Sequence, residues 1–181
     1  PMCDKKNYVK TIKKIIKNEH IDVMFVQNDV EVVQLAKHDF SVSHFMPSPE
    51  IVKICQNKKL CAMLLEELAP KDYPLENIEF PAWVRASKGA GGKGSLVARS
   101  VEEVTRWLMV NRNIKDWQFS EYLDGDLNIG CDVFIEDGEI QVYFMKKRLR
   151  YFSGKSMTGI TGASDIAEII DNPKIIKLIE G

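Results

Sequence analysis

The sequence predicts a mixed α/β (α+β) fold in one domain or two small ones, and three observations support this prediction. The chain has 181 residues, of which 45% are hydrophobic and 28% charged, as is usual for a globular protein with an apolar core. Apolar runs of strand length alternate with amphipathic runs of helical length. A loop with four glycines, Gly89, Gly91, Gly92 and Gly94, separates two of the predicted strands.

Charge and cysteine spacing exclude several classes of function. The net charge of −1 and the pI of about 6.4 give no excess of positive charge for nucleic acid. No apolar run reaches the roughly 18 residues that a membrane span needs. The four cysteines lack C-x-x-C spacing, which favours reduced thiols over zinc or disulfides, and the chain opens without an apolar signal segment. We therefore expect a cytoplasmic protein without nucleic-acid or membrane partners.

Residues 1–47 are expected to form part of an α/β subdomain. Tyr8–Lys17 has apolar side chains on one face and lysines on the other, which is typical of an amphipathic helix. Asp22–Val26 predicts a short buried strand and Glu31–His38 a helix. The polar tip Gln27–Asp29 between them is either part of a binding site beyond the strand end or simply the cap of the helix.

Residues 48–181 are expected to form the second domain, because prolines and a serine in Phe45–Pro49 mark a boundary. A long helix is predicted over Pro49–Leu68, with an apolar stripe at i+3/i+4 spacing. Lys58 falls on that stripe. Its side chain either extends to an edge of the helix or points into a polar site between subdomains, and the pattern supports both equally.

Three strands and a helix surround the glycine loop in our prediction. Pro81–Arg85 and Leu96–Arg99 are strands on either side of the loop. Ser100 opens a helix through a capping box, with Val101, Val104 and Leu108 expected to face inward. Trp117–Leu123 alternates as a strand does and places Glu121 among large apolar side chains, where a carboxylate needs a partner or a ligand.

The last third of the chain predicts a hairpin followed by a loop and short helices. The segments are a strand over Asn128–Ile135, a turn at Asp137-Gly138, a return strand from Ile140, a loop over Tyr151–Ser164, and helices over Asp165–Ile170 and Lys174–Ile179. One face of the return strand changes from apolar to cationic, because Lys146, Arg148 and Arg150 continue its alternation.

The glycine loop GAGGKG is typical of phosphate-binding backbone, with Lys88 and Lys93 beside it. It matches G-x-G-x-x-G, but a dinucleotide fingerprint requires the loop to open a helix, and here a strand follows. The Walker pattern fails because Lys93 precedes the last glycine. A flap between two strands that closes over phosphates fits better. The alternative is a hairpin tip without function.

Four segments in this order resemble the ATP-grasp superfamily, particularly its carbamoyl-phosphate-synthetase-like members. DVMFVQNDVEVVQLA resembles the end of the domain that precedes ATP-grasp, and SPEIVKICQNKKLCAML the helix with the first ATP-contacting lysine, at Lys58. FPAWVRASKGAGGKGS resembles the strand and phosphate loop, with Arg85 where a lysine is usual. FSEYLDGDLNIGCDVFIEDGEI resembles the hinge segment and the strands after it.

The resemblance implies an ATP-grasp fold, preceded by the end of a Rossmann-like subdomain in residues 1–47, with ATP between two α+β subdomains. The implied ATP ligands are the cations Lys58 and Arg85, the flap residues Lys88, Gly89, Gly91, Gly92, Lys93 and Gly94, the adenine-edge residues Glu121, Tyr122 and Leu123, and Asp126 at the ribose. Leu127 is the alternative position for the ribose ligand. Arg148 and Arg150 are either anion-binding catalytic residues or the solvated end of an edge strand.

The resemblance also implies the chemistry of an ATP-dependent carboxylate–amine ligase. The γ-phosphoryl group would pass to a carboxylate, and an amine would attack the acyl phosphate. Magnesium would bridge the phosphates, but its ligands in the family follow an E-x-N pattern and Glu180 is followed only by Gly181, so they are expected beyond this chain. A nucleotide-binding module without catalysis, a fragment without turnover, and a structural α/β domain stay open as alternatives.

Overall fold

The computed structural model describes residues 6–89, 92, 94–125, 128–151 and 164–180. It confirms the expected α/β class, because helices accompany one parallel and two antiparallel sheets. The chain divides into two compact units, residues 1–66 and 67–181. The domain boundary predicted after residue 47 stays a prediction.

The first unit contains four helices and a small parallel sheet among its described residues. Its elements are α1 (Tyr8–Asn18), β1 (Val23–Met24), α2 (Asp29–Leu35), β2 (Ser43–His44), α3 (Pro49–Cys55) and α4 (Lys58–Leu65). Strand β1 pairs in parallel with β2, so α2 is the crossover between them. The buried apolar residues of this unit are Tyr8, Ile16, Leu35 and Val52.

Residues 22–38 lack the buried strand that the sequence predicts, and their polar tip caps a helix. The expected buried strand is wrong, because β1 is only two residues long and Phe25 beside it is 70% exposed. Asn28 caps α2, since its side-chain oxygen accepts a hydrogen bond from the main-chain nitrogen of Val30 at 2.9 Å. Glu31 accepts a hydrogen bond from the Tyr8 hydroxyl group, which joins α2 to α1. The polar tip therefore begins a helix.

The helix predicted over Pro49–Leu68 is also wrong, because the chain forms two helices there. Helix α3 ends at Cys55, and Asn57 begins α4 by accepting a hydrogen bond from the main-chain nitrogen of Lys59 at 3.1 Å. A capping asparagine takes an extended backbone and so interrupts the helical repeat. The stripe that included Lys58 is broken there, and Leu64 on its continuation is 63% exposed.

The second unit begins with a three-stranded antiparallel sheet and one helix. The elements are β3 (Ala82–Ala86), β4 (Leu96–Ala98), α5 (Val101–Val110) and β5 (Trp117–Glu121), with the strand order β4-β3-β5. One face of this sheet packs on α5 in a core of Tyr73, Val84, Ala98, Val104 and Phe119. Ser100 caps α5 as predicted, whereas Val101 is 63% exposed and does not face inward.

A second antiparallel sheet and a last helix complete this unit. The elements are β6 (Ile129–Glu136), β7 (Glu139–Tyr151), β8 (Ser164–Ile170) and α6 (Pro173–Glu180), with the strand order β6-β7-β8. The predicted hairpin turn is confirmed, since Asp137 and Gly138 have φ angles of 52° and 84°. The helix predicted over Asp165–Ile170 is wrong: the segment pairs with β7, and its isoleucines favour strands.

The helices of the described segments are too short or too polar to cross a membrane. The longest of them, α1, has 11 residues.

Candidate functional site

The register of the first sheet of the second unit places a group of polar side chains together. Trp83 in β3 lies opposite Ser120 in β5, and Arg85 lies opposite Gln118. Directly opposed residues of antiparallel strands project on the same face, so these four form one face, which we call the polar face. Its reverse carries the core residues that pack on α5. Gln118 and Ser120 are only 1% and 2% exposed.

Arg85 is held on the polar face by Gln118. Its Nε donates a hydrogen bond of 2.8 Å to the side-chain oxygen of Gln118. The arginine is half-buried at the end of a strand that leads directly into the glycine loop. The amide oxygen is neutral, so this bond orients the guanidinium group and leaves its positive charge in place.

The glycine loop needs its glycines for different reasons. Gly89, Gly92 and Gly94 have φ angles of 114°, 72° and 76°, a region that residues with a Cβ rarely adopt. A Cβ on Gly94 would also lie 2.6 Å from Cδ1 of Ile114. The Gly94 carbonyl oxygen accepts a hydrogen bond of 3.0 Å from Nε1 of Trp107, which ties the end of the loop to α5.

Ser87 links the polar face to the glycine loop. Its main-chain nitrogen donates to the carbonyl oxygen of Asp116 at 3.0 Å, and the residue is fully buried. Its hydroxyl group has no hydrogen-bond partner within the described segments. Lys88, the next residue, is exposed, whereas Gly91 and Lys93 of the predicted loop lie outside the described residues.

Tyr122 and Leu123, predicted at the adenine edge, follow β5 directly. The rings of Tyr122 and Trp83 stack with centroids 6.2 Å apart and planes at 25°, so Tyr122 extends the polar face with an aromatic surface. Leu123 is 66% exposed. Asp126, the predicted ribose ligand, and its alternative Leu127 lie outside the described residues.

Glu121 does not lie among buried apolar groups as expected. It pairs with Ala82 at the end of β5, on the core side of the sheet, but its side chain is exposed. Its Oε2 accepts from the main-chain nitrogen of Lys71 at 3.5 Å. Lys71 in turn hydrogen-bonds Glu79, which lowers the pKa of the Glu79 carboxyl group and raises the pKa of Lys71.

Lys58 occupies the first residue of α4 in the other unit and is half-buried. It makes contacts within the chain, as does its neighbour Lys59. The proposal that Lys58 binds ATP therefore stands on the sequence resemblance, since the stripe that favoured it is interrupted.

The two arginines of β7 differ in their surroundings. Arg150 forms an ion pair with Asp165, with Nη2 2.9 Å from Oδ2, and this hydrogen-bonded pair lowers the pKa of the Asp165 carboxyl group. Pairing of β7 with β8 is irregular after Arg148, so alternation no longer assigns Arg150 to the face of Arg148. The prediction that both arginines face one substrate thus receives no support from the strand register.

Arg148 shares a small cationic surface with Lys146. A Cβ at Gly130 of β6 would lie 3.3 Å from Cε of Lys146 and 3.9 Å from Nη2 of Arg148, so both side chains extend over this glycine. Lys146 also forms an ion pair of 2.8 Å with Asp132.

Magnesium was expected from the sequence resemblance. Within the described ranges, no group of three or more histidine, cysteine, aspartate or glutamate residues could hold a metal ion. These residues therefore do not provide a metal cage, and we assign no magnesium ligand among them.

Several residues of this site were not identified from the sequence. Trp83 could have been identified from the sequence, because it alternates with Arg85 in a predicted strand. Gln118 could not be identified from a local pattern, because it contacts Arg85, 33 residues earlier in the chain, only through the pairing of two strands. Lys146 was noticed on the cationic face, but its place over Gly130 again depends on strand pairing.

Neither a family model nor a curated protein sequence matches this chain. Solved structures do. The biotin carboxylase domain of Hydrogenobacter thermophilus 2-oxoglutarate carboxylase, in complex with MgADP, ADP and bicarbonate, matches with a TM-score of 0.61 at 13% identity, over 83% of this chain and 40% of that one.

D-alanine–D-alanine ligase from Bacillus anthracis matches with a TM-score of 0.59 at 15% identity, over 98% of this chain and 62% of that one. The same enzyme complexed with ATP gives 0.57. The chain thus spans less than two thirds of the length of either protein. At such low identity the similarity shows the fold, and it confirms the fold predicted from the sequence.

Proposed function

We propose that this chain, which has the ATP-grasp fold of the carboxylate–amine ligases, binds ATP and takes part in ATP-dependent ligation. The observation that carries the proposal is the polar face of the first antiparallel sheet, where Arg85 lies at the end of β3 beside the glycine loop. A cation next to backbone with positive φ angles is suited to a polyphosphate, because charge and main-chain N–H groups converge there.

The aromatic pair Trp83 and Tyr122 supports a nucleotide rather than a simple polyphosphate. Trp83 precedes Arg85 by two residues on the same strand face, and Tyr122 stacks on it. A purine needs an apolar or aromatic surface near the phosphate-binding cation. Of the structurally similar proteins, one holds MgADP and another ATP, which supports the same ligand class for this chain.

The proposed reaction has two steps. A substrate carboxylate oxygen attacks the γ-phosphorus atom, the bond from the γ-phosphorus to the bridging oxygen breaks, and ADP leaves. An amine then attacks the acyl carbon, inorganic phosphate leaves, and the amine loses a proton. Both steps gather negative charge on phosphate oxygens, so positioning and charge neutralisation are the main contributions of the protein.

The residues of this chain have distinct roles in this proposal. Arg85 neutralises the ATP phosphates, and Lys88, Lys93 and the glycines of the loop bind them. Lys58 is retained as an ATP ligand on the sequence resemblance alone. Arg148 binds the substrate carboxylate or the acyl phosphate. Lys146 lies beside Arg148 over Gly130, but it contributes less to this anion site, since Asp132 already pairs with it. Arg150 contributes less, since Asp165 already neutralises it.

Binding of ATP without turnover is the second candidate function. The sequence leaves it open as the alternative to the ligase. Phosphoryl transfer from ATP ordinarily needs bound magnesium. The two candidates share the nucleotide site and differ only in turnover.

Two measurements separate these candidates. Binding of ATP to the polar face should change the fluorescence of Trp83, so tryptophan emission is followed as ATP is added, with Trp83→Phe to assign the signal. ADP release is then measured with magnesium and a panel of carboxylates and amines. ADP release that depends on a carboxylate supports the ligase. Saturable binding without ADP release from any combination would leave only the binding module.

A further inference from the structure

We propose that Ser87 is a further binding residue of the nucleotide site, whose hydroxyl group donates a hydrogen bond to a phosphate oxygen of ATP. The inference rests on the proposed function and adds a neutral side chain to the cations and glycine backbone proposed there. Three observations carry it: the burial of this hydroxyl group, the lack of a hydrogen-bond partner for it among the described residues, and its position between Arg85 and the glycine loop.

The hydroxyl group of Ser87 is a polar group in a buried position. The residue is 0% exposed, and its Oγ has no hydrogen-bond partner within the described segments. Burial removes a hydroxyl group from water, so a hydroxyl group without a partner costs free energy on folding. Alanine would fill the same space without that cost. A serine here therefore indicates a hydrogen bond that forms with another molecule.

Strand pairing places Ser87 on the side of the sheet that carries the polar face. The pairing of β3 with β5 continues one step beyond β3, since the main-chain nitrogen of Ser87 donates to the carbonyl oxygen of Asp116 at 3.0 Å. Alternation then directs Ser87 to the same side as Trp83 and Arg85. Residues two apart on a strand lie about 7 Å apart. Ser87 is thus next to the cation at which the phosphates of ATP are proposed to bind.

The backbone after Ser87 has room to admit a phosphate group. Oγ of Ser87 is covered, so a ligand reaches it only if the neighbouring backbone shifts. Gly89 has a φ angle of 114°, and no described atom beyond its chain neighbours lies within 4 Å of its Cβ position. Open space beside a glycine allows its backbone to move without a steric clash. We therefore expect the shift that exposes Ser87 to occur at Gly89.

A serine hydroxyl group is chemically suited to a phosphate oxygen. It can donate its proton to an oxygen that carries negative charge, and such charge-assisted hydrogen bonds are shorter and stronger than bonds between neutral groups. Because the proposed bond ends on a phosphate oxygen, its loss should weaken the binding of ATP and spare the binding of adenosine.

The test compares Ser87→Ala with Ser100→Ala, a control that removes a hydroxyl group with a partner inside the protein. Oγ of Ser100 accepts from the main-chain nitrogen of Glu103 at 3.3 Å. Urea unfolding is measured without nucleotide, and dissociation constants for ATP and adenosine are measured by titration calorimetry. We expect Ser87→Ala to leave the urea midpoint unchanged or higher and to weaken ATP about tenfold, with adenosine changed less than about twofold. Ser100→Ala should lower the midpoint and change neither affinity.

The urea midpoint distinguishes a binding role of Ser87 from a structural one. A lower midpoint for Ser87→Ala would overturn the inference, because the hydroxyl group would then have a partner in the folded protein without nucleotide. Unchanged ATP affinity, or equal weakening of ATP and adenosine, would overturn it as well. Failure of the proposed function itself is distinguishable, since wild type and Ser100→Ala would then not bind ATP either.

Discussion

The arginines at positions 85 and 150 have side-chain partners of different charge. Nε of Arg85 donates a hydrogen bond to the neutral side-chain oxygen of Gln118. Arg150 is held by Asp165, and this ion pair joins the ends of β7 and β8. The sequence assigned Arg85 to the phosphates and left Arg150 either anion-binding or solvated, because a sequence does not reveal the partner across a sheet.

The pair of Arg150 with Asp165 predicts a pH dependence of stability. The folded state lowers the pKa of Asp165 from its ordinary value of 3.8, so the pair stabilises the protein above that pH and the contribution is lost as pH falls below it. Arg150→Gln should lower the Tm slightly at pH 7, because the pair is exposed, and the difference from wild type should shrink as the pH falls below 3.8.

The measurement is thermal unfolding followed by circular dichroism between pH 3 and pH 7. Arg112→Gln is the control, because Nε of Arg112 donates to the main-chain oxygen of Met109 and not to a carboxylate. A difference between wild type and Arg150→Gln that grows as the pH falls would contradict the assignment.

At the scale of elements, the break between α3 and α4 has a testable consequence. Asn57 caps α4, so Asn57→Ala should lower the free energy of unfolding by about 1 kcal/mol. A continuous helix over Pro49–Leu68 would give the opposite sign, because alanine is the better helix former by about 0.5 kcal/mol. Urea unfolding decides between the two, and Gln56→Ala, one residue before the cap, is the matched control.

The glycine loop gives a second prediction at this scale. Gly94 has a φ angle of 76°, and a Cβ there would meet Ile114, so Gly94→Ala should lower the free energy of unfolding by about 2 kcal/mol. Gly125→Ala is the control, since no atom lies within 4 Å of its Cβ position. Urea unfolding of both variants checks this, and equal stabilities would show that the loop does not depend on glycine at position 94.

Local patterns predicted the elements that depend on local interactions. Ser100 caps its helix, Asp137-Gly138 turns its hairpin, and Leu96–Ala98 is a strand after the glycine loop. Asp165–Ile170 was predicted as a helix, because a run this short does not distinguish a helix from a strand until its pairing with β7 is known. Asn57 was missed because one capping residue inside an amphipathic pattern resembles a polar position on the helix surface.

For the whole molecule, the order of segments carried more information than any single motif. The glycine loop alone fitted several kinds of phosphate site, and its place between two strands selected a flap. The fold that this order predicted is confirmed by the structural similarities, although identities reach only 15%. The site was only partly predictable, since Arg85 and Tyr122 lie in the segments that resemble the family, whereas Gln118 is recognised only from pairing across the sheet.

The central claim is that the polar face with Arg85 binds the phosphates of ATP, and titration calorimetry with ATP and adenosine tests it most directly. We expect wild type to bind ATP at least about tenfold more tightly than adenosine, and Arg85→Ala to lose most of that preference, because the cation contacts only the phosphates. Arg112→Ala should behave as wild type. Absence of saturable ATP binding to wild type, or an unchanged preference in Arg85→Ala, would contradict the claim.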